Sequence, residues 1–205
     1  MLKTVFITTL SFLAVAGLAT AGTVNAGNAN AALLQVQAGG VAVNGGFIAV
    51  GTTGAAEASL SDAGLAKDAL LADFTQFGPS TEFATPGVGN NAGFFSLAAN
   101  GAGGDAPFNG NNVFLIGGDG ASLADSNWLF IVRSDTNFGP DLPLFAASVN
   151  LGTDTALLGG ISGANTINGG DAFQMAAVGG IVPEPGVSIL ALFSAGLLVL
   201  RRRRK

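Results

Sequence analysis

Two nearly continuous apolar runs, Asn112-Val113-Phe114-Leu115-Ile116-Gly117 and Trp128-Leu129-Phe130-Ile131-Val132-Arg133, constrain the fold more than anything else in the chain. Runs of this kind suit strands that are covered on both faces, or central in a sandwich. Between them, Gly117-Gly118-Asp119-Gly120 turns the chain and Ala121 to Asn127 bridges to the second strand. Gly, Ala and Asn dominate the gaps elsewhere. Stretches such as Ala98 to Gly104 and Asn109 to Asn112 read as turns or loops, because Gly and Asn accept positive φ cheaply. A domain of short strands follows.

Leu33 to Gln37 alternates imperfectly, and Val41 to Val50 is an apolar stretch broken by Asn44-Gly45-Gly46, which predicts a hairpin there. From Ser61 to Phe77 the pattern changes. Asp62 is placed to cap, Leu65, Ala69, Leu70, Phe74 and Phe77 fall at near-helical spacing, and Gly78-Pro79 ends the run, so one short helix is expected. Gly93 to Ala98, Leu144 to Val149 and Thr155 to Leu158 read as further strands, and Gly159 to Gly170 as loop. No repeat of fixed period is evident. The expected fold is mostly β: a single β-sandwich-like domain over residues 22–181 with one short helix.

The 205 residues contain no cysteine and no histidine. The fold therefore holds by burial without disulfides, and His or Cys metal sites, Ser-His and Cys-His nucleophile pairs and thiol redox chemistry are excluded. From Gly22 to Val182 there are twelve acids and two bases, Lys67 and Arg133, a net charge of −10 that the formal −5 of the whole chain conceals. Such a surface argues against nucleic acid or anionic lipid as a partner. No G-x-x-x-x-G-K-[ST] occurs, so nucleotide binding is not expected, and no cofactor is.

The two ends carry hydrophobic segments. In residues 1–21, Lys3 supplies a positive n-region, Val5 to Leu18 an apolar h-region, and Ala19-Thr20-Ala21 an A-x-A cleavage site, the organisation of a secretory leader. An N-terminal membrane anchor is the competing reading, weakened by the short apolar stretch. In residues 182–205, Val182-Pro183-Glu184-Pro185-Gly186 precedes the uncharged run Val187 to Leu200 and then Arg201-Arg202-Arg203-Arg204-Lys205. At about 1.5 Å per residue a helix over that run reaches only roughly 21 Å, against a hydrocarbon core of about 30 Å. Snorkelling arginine stems and local thinning make brief residence feasible. The five cations favour the cytoplasmic side and place everything upstream outside. Both prolines oppose a helix and keep Val182 and Glu184 extended, a shape that processing enzymes bind.

Val182-Pro183-Glu184-Pro185, the apolar segment with Leu190, Leu192 and Gly196, and the terminal arginine cluster together resemble the PEP-CTERM sorting signal of Gram-negative bacteria, also labelled an ice-binding protein C-terminal domain. The resemblance implies a membrane helix over Val187 to Leu200 and an exosortase-type membrane enzyme that recognises the Pro-Glu-Pro strip. It implies transit through the inner membrane to the cell surface or the exterior, and a role in an extracellular matrix of a bacterium that makes exopolysaccharide. An ordinary tail anchor explains the arginines and the apolar run but not the Pro-Glu-Pro strip. A looser likeness, from Asp73 to Asp141, is to short ectodomains of the same family and names no activity. Thr153-Asp154-Thr155 and Thr52-Thr53 are too few for an ice-binding threonine array.

Candidate chemistry upstream is sparse. Asp135-Thr136-Asn137-Phe138-Gly139-Pro140-Asp141 alternates oxygen ligands as a calcium loop does, yet Gly139 offers no side-chain ligand and no Glu closes it, so a solvated turn is the better reading. Gly117-Gly118-Asp119-Gly120 starts like a calcium nonapeptide but does not repeat. Asp119, Asp125 and Asp135 are the acids a two-carboxylate glycosidase would draw on. Trp128 on a strand offers a stacking face for a sugar, although a Trp beside Leu129 and Phe130 more often belongs to a core. The expectation is an exported protein that is not an enzyme and has no catalytic or metal-binding residue. The alternative is a secreted glycan-binding module, with or without calcium.

Overall fold

The computed structural model describes residues 22–28, 34–84, 91–102, 104–140, 146–167 and 169–178. The expected leader, with Ala19 and Ala21, and the expected sorting segment, Val182 to Lys205, lie outside the described residues. The first half of the domain carries β1 (Gly22–Gly27), β2 (Gln35–Ala38), β3 (Val41–Ala42), β4 (Gly45–Thr52), α1 (Glu57–Leu60), α2 (Ala66–Asp73), β5 (Thr75–Gln76) and β6 (Thr81–Phe83). The second half carries β7 (Ser96–Gly101), β8 (Asn112–Gly118), β9 (Trp128–Asn137) and β10 (Ala146–Val149). It ends with β11 (Thr155–Leu158), β12 (Gly160–Ala164), β13 (Asp171–Gln174) and β14 (Ala176–Ala177). Among the described residues the domain is mostly β, in three sheets.

The two apolar runs become β8 and β9, antiparallel neighbours in the largest sheet, ordered β11-β9-β8-β4-β5, with β14 on β9 and β6 on β4. Register pairs Leu115 with Val132 and Ile116 with Ile131. Because strand side chains alternate, one sheet feeds two cores. Ile48, Val50, Val113, Leu115, Phe130 and Val132 enter the first, while Ala49, Phe114, Ile116, Leu129 and Ile131 enter the second. That double burial is why these runs lack the polar alternation of a half-exposed strand.

Two smaller sheets close the first core. One is ordered β10-β1-β7 and brings Val24, Leu97 and Val149; the other is ordered β12-β13-β2-β3 and brings Val36 and Phe173. Phenylalanine fills the space between layers. Phe130 meets Phe173 at 5.7 Å and Phe83 and Phe95 at 6.5 Å, and Phe77, Phe108 and Phe138 form a second knot with centroids 5.0 to 5.1 Å apart. Apart from Phe108, which is half-buried, each of these buried rings stabilises by about 1.5–3 kcal/mol. Leu60 of α1 with Ala66 and Leu70 of α2, together with Leu158 and Val178, cover the second core.

Four local expectations are corrected. In place of one helix from Ser61 to Phe77 there are two short ones, α1 and α2. Asp62 takes the amide of Gly64 on Oδ1 at 2.8 Å, an Asx turn that separates them. The chain leaves the helix at Phe74 because the Phe77 amide bonds the Val50 carbonyl at 2.8 Å, sending Phe77 into the first core, on the opposite face of the sheet from Leu70. The hairpin predicted at Asn44-Gly45-Gly46 lies instead at Gly39-Gly40, whose φ values of +58° and +82° suit a two-residue primed turn joining β2 to β3. Asn44-Gly45-Gly46 carries the chain from one sheet to another. The expected loop Gly159 to Gly170 contains β12, which pairs with β13 and was hidden by its Gly and Ser content. Similarly, Ala98 to Gly101 belongs to β7 rather than to a loop.

Candidate functional site

Asp119 is built into the backbone. Its Oδ1 accepts the amides of Asn127 and Trp128 at 2.8 and 2.9 Å, closing the β8–β9 connection. Ser126 Oγ accepts from the Gly120 amide at 3.1 Å and donates to the Ser122 carbonyl at 2.8 Å, and Lys67 Nζ of α2 donates to the Ser126 carbonyl at 2.7 Å. Gly118 has no Cβ because Ser126 and Phe47 occupy that space. The turn reading of Gly117 to Gly120 holds only from Asp119 on, because Gly117 and Gly118 belong to β8 and pair with Phe130 and Leu129 of β9. Asp125, exposed, accepts from Ser122 Oγ at 2.6 Å.

Asp135 lies far from this turn. Asp119 is bonded to the start of β9, whereas Asp135 is seven residues further along the strand, roughly 23 Å at about 3.3 Å per residue. Glycosidase carboxyl pairs stand roughly 5–9.5 Å apart, so Asp119 and Asp135 do not form one. Asp135, Thr136 and Asn137 sit in extended strand rather than in a loop wrapped around an ion, and Asp141 lies outside the described residues. Among the described residues no three carboxylates converge. Trp128 is half-buried at the edge of the first core, its ring lying over Gly39, where a Cβ would stand 3.3 Å away.

Among the described residues, a cleft forms on the β10-β1-β7 sheet. Val24 and Ala26 point into the core, so the alternate residues Thr23 and Asn25 face outward, and register sets Asn25 beside Ser148 on β10 and Ala98 on β7. The cleft has a volume of about 430 Å³ and no charged side chain lines it. Its polar groups include Asn25, Ser96 and Ser148, whose side chains make no hydrogen bond among the described residues. One wall is held by Asn28, buried, which donates to the Leu34 and Gly93 carbonyls at 2.7 and 2.6 Å and accepts the Phe95 amide at 2.8 Å. The other is the turn from Asn150, whose Oδ1 accepts the Gly152 amide and whose own amide bonds Asp154, both at 2.8 Å. Free amides and hydroxyls without charge offer donors and acceptors to a neutral, polyhydroxylated molecule.

A second polar cluster is already saturated. Gln35 Oε1 accepts from Gln37 Nε2, the Thr166 amide and the Thr166 hydroxyl at 2.9 to 3.0 Å, and Gln37 Oε1 accepts from Gln174 Nε2 at 2.5 Å. These buried amides pin the 164–167 segment over β2 and leave little for a ligand. Sequence reading missed both clusters, since Asn25, Ser96 and Ser148 come from three distant strands, and only their place on outward-facing alternate positions could have marked them.

No family model, no curated protein and no solved structure matches the chain.

Proposed function

We propose that this chain is an exported, non-catalytic component of the bacterial cell surface or extracellular matrix: a β-sandwich-like domain delivered by a cleaved leader and a PEP-CTERM sorting segment. The observation that carries the reading is the fixed order of Val182-Pro183-Glu184-Pro185, the apolar run Val187 to Leu200 and the cations Arg201 to Lys205. In this scheme Pro183, Glu184 and Pro185 present an extended strip to an exosortase-type enzyme, the apolar run holds the strip at the inner membrane, and the cations fix orientation. The described acids support a non-catalytic role: Asp119 is occupied by backbone amides, and Asp125 and Asp135 are exposed.

The test replaces Pro183, Glu184 and Pro185 by alanine in the native host and follows the mature mass and location. Unprocessed protein retained in the inner membrane is expected. Normal processing of the variant would remove the strip from the mechanism and leave a plain tail anchor.

The cleft favours a second reading, a glycan-binding module that uses the face of Asn25, Ser96 and Ser148 rather than Trp128 or carboxylates with calcium. Amide-resolved NMR titration with a neutral oligosaccharide should then move signals of β1, β7 and β10 equally with and without a chelator. Shifts confined to the surroundings of Trp128 would refute this placement.

A further inference from the structure

Gly27 gives the cleft its floor. The outward positions of β1 are Thr23, Asn25 and Gly27, and register sets Gly27 beside Ser96 on β7 and Asn25 beside Ser148 on β10. Asn25 and Gly27 are roughly 6.6 Å apart along the strand, and each neighbouring strand stands about 4.8 Å away. Three uncharged polar side chains therefore border a position that carries none, next to the turn from Asn150 to Gly152. Backbone conformation does not demand glycine there. Gly27 is not among the residues of positive φ, and a Cβ on it would meet the Phe95 carbonyl oxygen at 3.3 Å, a tight contact rather than an overlap. A glycine inside a strand often marks the close approach of a ligand, and the cleft volume of about 430 Å³ lies within the range of about 300–1,000 Å³ common to small-molecule sites.

The charge held against this cleft is negative. Its turn wall is braced by Asp154, whose carboxylate accepts the Asn150 amide at 2.8 Å. Of the two bases in residues 22–182, Lys67 donates to the Ser126 carbonyl and Arg133 pairs with Glu57, and neither lines the cleft. A carboxylate entering from water would shed hydration without meeting a cation, in the field of a domain with twelve acids and two bases. A sugar hydroxyl carries no such cost, because Asn25, Ser96 and Ser148 supply both donors and acceptors. We infer, resting on the glycan reading of this cleft, that it selects uncharged sugars against their uronate counterparts, with one ring seated on Gly27 and its hydroxyls read by Asn25, Ser96 and Ser148. Gly27 sets the space available and the absence of a cation sets the charge accepted.

The experiment uses the full-length chain in detergent micelles and follows the amides of β1, β7 and β10 by NMR. The probes are tetramers of glucose, galactose and mannose, each matched with the uronate tetramer that differs only by a carboxylate at C6. At least one neutral tetramer should bind at these strands, and its uronate match should bind there about ten-fold or more weakly. Ser148→Lys places a cation opposite Asn25 and should remove or reverse that preference, a gain that a merely disturbed sheet would not produce. Gly27→Val should weaken the neutral tetramer about ten-fold or more by filling the floor, and Gly27→Ala, which adds a single methyl, makes the same check if valine disturbs the sheet. Equal affinity of the native cleft for a neutral tetramer and its uronate match, or an unchanged preference in Ser148→Lys, would overturn the selection by charge while leaving the glycan reading intact. Undiminished binding by both folded Gly27 variants would overturn the seat on Gly27. Failure of every neutral tetramer to move these amides would overturn the glycan reading and the inference with it.

Discussion

Phe130 shows how a single side chain joins two layers. It is fully buried on β9 and touches rings from β6, β13 and the segment before β7, so its removal opens a void among parts that cannot all close inward. Phe130→Ala is expected to cost about 3–5 kcal/mol in urea unfolding, and a loss below about 1 kcal/mol would mean that the layers do not meet there. Asp119 works through hydrogen bonds instead. Asp119→Ala strands the amides of Asn127 and Trp128, at a cost of about 1–3 kcal/mol, with faster hydrogen exchange at those two amides. Unchanged exchange there would contradict the bonding.

Among the elements, the central strands were legible and the junctions were not. β8 and β9 announced themselves because both faces of each are buried, leaving an apolar signal with no competing explanation. The spacing of Leu65 to Phe77 misled because tertiary packing divides those residues: Leu65 is 52% exposed, Leu70 enters one core and Phe77 the other. Asn44-Gly45-Gly46 looked like a hairpin because glycine at positive φ also serves a chain changing sheets, and sequence alone does not distinguish the two uses. The junction itself is testable. Gly45 and Gly46 have φ of +76° and +78°, but a Cβ on Gly45 meets open space whereas one on Gly46 overlaps the carbonyl oxygen of Gly118 on β8. Gly45→Ala should cost about 1–2 kcal/mol from conformation alone. Gly46→Ala should cost clearly more, since backbone must move, and equal losses for the two variants would refute the close approach of β4 to Gly118.

At the scale of the whole molecule, charge is the feature most visible in sequence, whereas the cleft needed the fold to bring Asn25, Ser96 and Ser148 to one face. Twelve acids against two bases leave residues 22–182 with little internal neutralisation. Structure accounts for both bases: Arg133 pairs with Glu57, both side chains being substantially solvated, and Lys67 is committed to the Ser126 carbonyl. A solvated pair of this kind contributes roughly 0–1 kcal/mol. Mutual repulsion among the acids therefore outweighs attraction, and screening should stabilise the fold rather than weaken it. Moving from about 0.01 M to about 1 M sodium chloride contracts the screening length from roughly 30 Å to roughly 3 Å, and the urea midpoint should rise. Chloride is the anion to use, because sulfate would also strengthen apolar burial and confuse the cause. Glu57→Gln separates the contributions, since it deletes the ion pair while lowering the net negative charge by one. Its stability at low salt should stay within about 0.5 kcal/mol of the parent. A midpoint that falls with chloride, or a Glu57→Gln loss of several kcal/mol, would mean that the Arg133–Glu57 pair, and not repulsion, governs the electrostatics of the domain.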